Sequence, residues 1–299
     1  LSGNGGTVEV SGKQNLGFDG AVDTSAPNGQ GGSLLLDPDK IVVQDNGPSA
    51  DDAVHLTPDG YIDFDDPDGP LGLTFFISEN ALEALTTSCL VLQAYISITI
   101  NNLDGDGILD LTGISEGILF TTKSTAADAG FFMNAGDTIK FDVEFDIDTV
   151  DGLSAGTGDI NLGKLNGIGG FSSVFLTSGG QITFNGASTM GSLSAIAEDG
   201  ITVNANLTST SGDIVVDADL SNDGGVLLFA NSLTVNSAGE IALGSNELIS
   251  AAGHLTLLAD SLVEINDNFA GAGNLSIGSS DEVVFDGDLS VMGNLDIDA

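Results

Sequence analysis

The hydrophobic positions of this chain fall into short runs separated by glycine and small polar residues. Between residues 200 and 230 the runs cover 201–203, 214–216 and 226–229, and a glycine lies within two residues before each run. Runs this short, bounded by Gly, Asn, Asp or Ser, favour strands over helices. Glycine suits the corners between strands, where the backbone needs a positive φ or a close approach.

A strict alternation of apolar and acidic residues extends over residues 140–148. Phe141, Val143, Phe145 and Ile147 occupy every second position, and acidic residues stand between and after them. Successive side chains of a strand point to opposite faces, so this pattern predicts one long strand with a buried apolar face and an acidic outer face.

Turn glycines recur about every 20 residues in the second half of the chain. The segments that begin at Gly273 and Gly293 are near copies, Gly-Asn-Leu-Ser-Ile and Gly-Asn-Leu-Asp-Ile. A unit of this length accommodates two or three short strands but cannot bury its own apolar face, whereas a stack of such units can. The sequence therefore predicts an all-β fold, a parallel β-helix of roughly 15 coils. A left-handed solenoid and a β-propeller are the architectural alternatives, although the period is short for propeller blades.

Two segments depart from this pattern. Residues 44–75 hold four of the six prolines and an acidic run, which predicts an irregular acidic insertion between the first coils, 1–43, and a continuing β-helix, 76–299. Residues 78–85 predict the one short helix, because Ser78 suits an N-cap and Ala81, Leu82 and Leu85 form a helical stripe.

Composition narrows the classes of function. The 299 residues include 44 acidic and 5 basic side chains, and the net charge is −39. Such a chain cannot neutralise phosphates, so nucleic acid and anionic membranes are not expected partners. The acidic surface either keeps a long fold with a large apolar core soluble, or it is adapted to a high-salt or calcium-rich extracellular medium, where cations screen the carboxylates. The single cysteine, Cys89, allows no internal disulfide, and its apolar run predicts a small buried hydrophobe rather than a nucleophile.

One segment is similar to the first half of a calcium loop. Oxygen-bearing side chains alternate in it and a glycine follows; the candidate ligands are Asn102, Asp104, Asp106 and Asp110. Gly113 stands where such a loop places a bidentate glutamate, so a plain acidic turn is the alternative. A second, weaker candidate is the set Asp63, Asp65, Asp66 and Asp68. The cofactor expected from the first segment is Ca²⁺.

The sequence also resembles a known family. Two segments near the start of the chain resemble the segment that follows the secretion domain in filamentous-haemagglutinin-like exoproteins of two-partner secretion systems; they are residues 5–13 (GGTVEVSGK) and 31–38 (GGSLLLDP). Three later segments are similar to that family in their residue pattern: 90–100, 132–139 and 212–216. The resemblance covers most of the chain apart from residues 44–75. It implies a right-handed parallel β-helix, export through an outer-membrane partner of Gram-negative bacteria, and a role as an adhesin or surface filament.

The function expected from these observations is a non-enzymatic structural or adhesive segment of a large secreted protein at the bacterial surface. Host, cell or matrix surfaces, or other copies in a filament, are its expected partners. A β-helical glycan-binding or glycan-cleaving protein is the alternative, and a calcium-dependent matrix component is a third hypothesis. The chain has no arginine to serve lyase chemistry, no tryptophan, and two histidines far apart at His55 and His254, so an enzyme is not expected.

Overall fold

A computed structural model of the chain describes residues 3–11, 22–26, 29, 31–37, 40–45, 74–150, 157–221 and 224–299. These residues form 31 short strands and one helix. The first strands are β1 (Thr7–Ser11), β2 (Ser33–Asp37), β3 (Lys40–Gln44), β4 (Thr74–Ser78), β5 (Cys89–Ala94), β6 (Ser97–Ile100), β7 (Ile108–Asp110), β8 (Gly117–Thr122), β9 (Gly130–Met133), β10 (Thr138–Phe141) and β11 (Glu144–Asp148), and the helix is α1 (Glu79–Glu83).

The remaining strands continue in the same way to the end of the chain. The middle strands are β12 (Asp159–Leu162), β13 (Lys164–Gly167), β14 (Val174–Ser178), β15 (Ile182–Phe184), β16 (Ser188–Met190), β17 (Leu193–Ala197), β18 (Ile201–Val203), β19 (Leu207–Ser209), β20 (Ile214–Asp217) and β21 (Val226–Phe229). The last strands are β22 (Leu233–Ser237), β23 (Ile241–Gly244), β24 (Leu248–Ala251), β25 (Leu255–Ala259), β26 (Leu262–Ile265), β27 (Phe269–Gly271), β28 (Leu275–Ser279), β29 (Glu282–Phe285), β30 (Leu289–Val291) and β31 (Leu295–Asp298).

The strands stack into three long parallel sheets. Sheet 1 has the order β1-β2-β5-β8-β11-β14-β17-β20-β23-β26-β29, sheet 2 runs from β7 to β31 in nine strands, and sheet 3 has the order β4-β3-β6-β9-β12-β15-β18-β21-β24-β27-β30. From β5 onward, successive strands visit sheet 1, sheet 3 and sheet 2 in turn, and one circuit is one coil. The predicted parallel β-helix is confirmed.

The coils differ in length along the chain. The sheet 1 strands β5, β8 and β11 begin at residues 89, 117 and 144, which are 28 and 27 residues apart. The last coils keep the predicted period of 20, since β25, β28 and β31 begin at residues 255, 275 and 295. The described residues therefore form sheets of at most 11 strands, fewer than the roughly 15 coils that a uniform period predicts.

The core consists of inward side chains that stack from coil to coil. In sheet 3, one ladder of directly paired residues is Ile160, Ile182, Ile201, Leu227 and Ile249, and each is at most 1% exposed. Burial of each such side chain contributes about 1.5–3 kcal/mol relative to an exposed position. The three sheets thus enclose one continuous apolar core along the described coils.

The alternating segment 140–148 is two strands rather than one, so the prediction of a single long strand is wrong. Its first residues end β10 in sheet 2, a bend follows at Asp142 and Val143, and Glu144 begins β11 in sheet 1. The predicted buried residues are nevertheless buried on both sides of the bend. A corner of the coil keeps the same side of the chain facing the core, so the alternation does not reveal it.

The predicted helix is confirmed. The side chain of Ser78 accepts a hydrogen bond from the N–H of Ala81 at 3.2 Å, as an N-cap does. The helix, α1, packs against β4 and β7 and buries Leu82 in the common core. Residues 46–73 of the predicted insertion lie outside the described residues, so that part of the domain division stays a prediction.

Candidate cation site

The predicted calcium ligands begin in the turn between β6 and β7. Asn102 adopts a φ of 48°, in the left-handed region that Asn tolerates better than most residues. Asp104 Oδ1 accepts a hydrogen bond from the N–H of Asp106 at 3.0 Å, and Asp106 Oδ1 accepts one from the N–H of Ile108 at 2.9 Å. Each aspartate thereby closes the turn over its own backbone, and the other oxygen of each carboxylate lies outside these two bonds.

The helix adds a third carboxylate to this turn. Glu79, the first residue of α1, is buried, and its Oε2 accepts a hydrogen bond from the N–H of Asp104 at 2.7 Å. One carboxylate oxygen from each of Glu79, Asp104 and Asp106 lies within 4.8 Å of the others. Oxygen ligands that lie about 2.3–2.6 Å from one Ca²⁺ ion are at most about 5 Å apart, so the three residues fit such an ion.

The environment of Glu79 disfavours its charge. Burial, together with the carboxylates of Asp104, Glu83 and Asp106, raises the pKa of Glu79 to about 7, although the N–H of Asp104 acts in the opposite direction. A divalent cation would reverse this balance, because it would favour the ionised form of all three carboxylates. The arrangement therefore offers a chemical reason for cation binding, but the geometry alone does not require an ion.

The other two predicted ligands have different partners. Asp110 Oδ2 lies 2.5 Å from Lys140 Nζ, and its Oδ1 accepts hydrogen bonds from the N–H and the hydroxyl of Thr112 at 3.1 and 2.6 Å. Burial acts to raise the pKa of Asp110, but the hydrogen bonds from Lys140 and Thr112 outweigh it and hold the pKa below its ordinary value. The side-chain amide of Asn102 donates to Asn101 Oδ1 at 3.4 Å. Of the four predicted residues, Asp104 and Asp106 are in the three-carboxylate group and Asp110 is outside it.

Sequence reasoning missed Glu79. It lies 25 residues before Asp104, and no calcium-loop spacing connects the two positions. The available signal was an acidic residue directly after a helix N-cap, a position that usually indicates a favourable interaction with the helix dipole instead. The second predicted set, Asp63, Asp65, Asp66 and Asp68, lies outside the described residues.

The acidic outer face of β11 is a separate feature. Asp146 lies between Glu144 and Asp148 on this face; its Oδ1 is shielded from solvent and accepts no hydrogen bond from any described residue. Burial first, and then the charges of Glu144 and Asp148, raise the pKa of Asp146 to about 6. This carboxylate therefore lies next to like charges, and its buried oxygen has no donor among the described residues.

The surroundings of Cys89 and His254 indicate structural rather than catalytic roles. Cys89 lies partly buried on β5, and burial, followed by the charge of Glu116, raises the pKa of its thiol, which disfavours the nucleophilic thiolate. His254 Nδ1 accepts a hydrogen bond from the N–H of Asn274 in the next coil at 2.9 Å, and Asn274 Oδ1 accepts one from the N–H of Asn294 at 2.9 Å. The histidine thus stands in a ladder of side-chain acceptors that connects successive coils.

Comparison with known proteins does not assign the chain to a family. No protein family, curated protein or solved structure matches the sequence. Within the described part of the chain, none of the helical residues form a segment with the length and apolar character of a membrane-spanning helix.

Proposed function

We propose that this chain is a non-enzymatic structural and adhesive segment of a secreted bacterial surface protein, in which the parallel β-helix acts as a stiff rod. The observation that supports this proposal is the continuous core. Inward residues such as Ile160, Ile182 and Ile201 rest directly on one another, and backbone hydrogen bonds join each coil to the next. A stack in which each coil contacts its neighbours along one axis is suited to holding outer faces and turns at fixed spacings.

The partners follow from this role and from the resemblance to filamentous-haemagglutinin-like proteins. An outer-membrane partner exports the polypeptide, and the rod stands at the cell surface. There it binds a host, cell or matrix surface, or it joins other rods in a filament. The charge of −39 directs it away from nucleic acid.

Adhesion and assembly test the proposal together. Beads coated with the chain should stay attached to a basement-membrane matrix or to cultured epithelial cells under flow, whereas beads coated with serum albumin, another acidic protein, should detach. Electron micrographs of the purified chain should show rods or filaments. Detachment equal to that of the albumin beads, together with only isolated globules in the micrographs, would refute the proposal.

The glycan-cleaving alternative predicts a different result. Incubation with a panel of bacterial and host polysaccharides would then release reducing ends or unsaturated products. We expect none to be released by this chain, and release from any one glycan would replace the structural proposal with that alternative.

We also propose that a calcium ion binds Glu79, Asp104 and Asp106 and fastens α1 to the turn before β7. Calcium at 100 times its dissociation constant stabilises the protein by about 2.7 kcal/mol, which corresponds to a rise in melting temperature of several degrees over a chelator control. Asp106→Asn should abolish this rise. Asp281→Asn, which removes a charge from an exposed turn far along the rod, should keep it. An equal response of both variants would refute the site.

A further inference from the structure

Exposed apolar side chains are concentrated on two parts of the rod, the last coil and the coils between β13 and β20. Among the described residues before the last coil, seven large hydrophobic side chains are exposed, and four of them lie between residues 168 and 215. These four are Ile168, Phe171, Phe175 and Val215, with exposures of 44%, 87%, 42% and 37%. Single exposed apolar residues are normal, but a group with two aromatic members is typical of a binding surface.

The strand register places Phe175 and Val215 on one face of the rod. Phe175 is the direct partner of Ser194, which is the direct partner of Val215, so Phe175 and Val215 are two strands apart on the outer face of sheet 1, about 10 Å. Ile168 and Phe171 lie in the turn that leads from β13 into β14, the strand of Phe175. Ile168, Phe171, Phe175 and Val215 are called the sheet 1 patch below.

The turn of the patch is tied to the coil that carries Val215, two coils further along the rod. The hydroxyl of Ser211, which lies just before β20 and Val215, donates to the carbonyl oxygen of Gly170 at 3.2 Å. This bond holds the Phe171 turn beside the strand that carries Val215. The patch is thus supported from two coils.

An acidic group borders the patch on its other side. Asp146 is the direct partner of Phe175 on one side and of Leu119 on the other, so this carboxylate stands between two outward apolar side chains. Its Oδ1 is shielded and has no donor, and Glu144 and Asp148 flank it along the strand. The charge of this half-buried carboxylate beside two like charges is unfavourable in the free protein, and a cation of a partner next to the group would relieve the repulsion.

Charge decides between the two kinds of occupant that this surface could accept. A second copy of the chain would bring another −39 charges and only five lysines, of which those at 40 and 140 already pair with Asp128 and Asp110. A basic partner is complementary to Asp146 and its neighbours, and the aliphatic stems and aromatic contacts of Lys and Arg suit exposed Phe rings.

We propose that the sheet 1 patch and Asp146 form a docking surface for a basic amphipathic segment of a partner protein. Apolar side chains of the segment contact Phe171 and Phe175, and a Lys or Arg of the segment pairs with Asp146. The inference rests on the proposed adhesive function and gives the chemistry of the partner that the rod binds.

A synthetic peptide tests this surface directly. The probe is a 12-residue acetylated peptide of alternating lysine and leucine, titrated into the full chain in 0.15 M NaCl and followed by calorimetry. A second peptide of equal charge has serine in place of leucine. We expect saturable binding of the first peptide, and binding at least about tenfold weaker for the serine peptide, because the apolar contacts are lost.

Matched variants locate the binding. Phe175→Ser and Asp146→Asn should each weaken binding of the lysine–leucine peptide by about tenfold. The controls are Leu258→Ser, an equally exposed leucine at 40% on sheet 2, and Asp296→Asn, an exposed carboxylate on the last coil; both should bind within about twofold of the wild type. Circular dichroism and melting confirm that each variant is folded, since all four side chains lie outside the core.

Four results would overturn the inference: one comes from the bead assay below, and three come from the binding and sedimentation measurements. The first of these three is the absence of saturable binding of the lysine–leucine peptide. The second is an equal loss of peptide binding in the control variants, which indicates general attraction to an acidic rod. The third is a concentration-dependent dimer in analytical ultracentrifugation that Phe175→Ser abolishes, because a second copy would then be the occupant. The bead assay separates this inference from the adhesive role: if the wild type and Phe175→Ser adhere equally, adhesion stands and the docking surface falls. If the wild type does not adhere, the peptide titration still decides whether the surface binds a basic segment.

Discussion

Gly130 shows how the spacing between coils limits the choice of a single residue. It begins β9 with a φ of 129°, and a Cβ atom added there would lie 2.1 Å from the carbonyl oxygen of Asp159 in the next coil. The neighbouring strand is only about 4.8 Å away, and the backbone of that strand cannot move without breaking its own pairing. Both the conformation and the space at this position therefore demand glycine.

Gly130→Ala should lower the free energy of unfolding by at least about 2 kcal/mol, from backbone strain together with overpacking. Gly136→Ala is the matched control, because a Cβ atom there would meet nothing within 4 Å. It should stay within about 0.5 kcal/mol of the wild type. Chemical denaturation of both variants measures the difference, and equal stabilities would show that the coils separate more easily than the register indicates.

At the scale of elements, aromatic side chains from all three sheets meet inside the coils near residue 130. The ring of Phe145 on β11 lies 5.2 Å edge-to-face from Phe120 on β8 and 5.1 Å from Phe141 on β10, while Phe131 on β9 lies 5.9 Å from Phe120. All four rings are fully buried. This cluster joins the strands on either side of the bend at Asp142 and Val143.

Phe145→Ala should destabilise the protein by about 3–5 kcal/mol, because it removes a buried ring from the centre of this cluster and leaves a cavity. Phe171→Ala makes the same chemical change at a side chain that is 87% exposed, and its effect should be within about 0.5 kcal/mol. Urea unfolding gives both values, and a cost below about 1 kcal/mol for Phe145→Ala would contradict the packing described for the cluster.

The helix α1 is joined to the edge of sheet 2 through carboxylates. Glu79 accepts the N–H of Asp104 at 2.7 Å, and Glu83 accepts the N–H of Asp110 on β7 at 2.9 Å. The second bond covers a backbone donor of β7, the edge strand of the sheet, which would otherwise be open to pairing with another chain, and the first covers a donor in the turn before it. Burial of the Glu79 carboxylate, together with the acids next to it, raises its pKa and makes this attachment sensitive to pH.

The pKa of Glu79 is about 7 in the folded protein and has an ordinary value of 4.5, so the folded state holds the proton more tightly than the unfolded state. Below pH 4.5 Glu79 is protonated in both states, and its ionisation does not change the free energy of unfolding. As the pH rises from 4.5 through 7, the free energy of unfolding decreases, and the decrease is complete above pH 7. In chelator-treated buffer, Glu79→Gln should therefore gain about 1–3 kcal/mol relative to the wild type between pH 5 and pH 8.

Melting curves at the two pH values measure this difference. Glu282→Gln, which removes the same charge from an exposed position on β29, is the control, and its difference from the wild type should not change between the two pH values. If Glu79→Gln behaves as Glu282→Gln does, the attachment of α1 does not depend on the protonation of Glu79.

At the scale of the whole molecule, the acidic surface opposes the stacking that the core drives. The net charge is −39, and the outward face of β11 places carboxylates two residues apart along one strand. Their repulsion acts in the compact state and is screened by salt over about 10 Å at 0.1 M ionic strength.

The melting temperature should therefore rise by at least about 5 °C between 10 mM and 1 M NaCl, which corresponds to about 2 kcal/mol or more for a chain of this size. Choline chloride at the same ionic strength separates screening, which both salts supply, from binding of a small cation, which only sodium supplies. A flat or falling curve in both salts would show that self-repulsion does not limit stability.

Local alternation predicts which side chains face the core, because inward and outward positions alternate along a strand and across a corner alike. Phe141 and Ile147 were correctly predicted as buried, although they belong to strands in different sheets. The glycine corners, the period of the last coils and the helix N-cap at Ser78 are also local signals, and they predicted the parallel β-helix and its helix.

The residues that meet across coils depend on how the coils stack in three dimensions. The number of residues per circuit changes from 28 and 27 near β5 to 20 near β31, and no local pattern fixes that number. Contacts between coils follow from it: Glu79 joins Asp104 and Asp106, and Asp110 pairs with Lys140 instead. Alternation is a property of each strand, whereas the partner of a side chain depends on how far the chain travels before it returns to the same face.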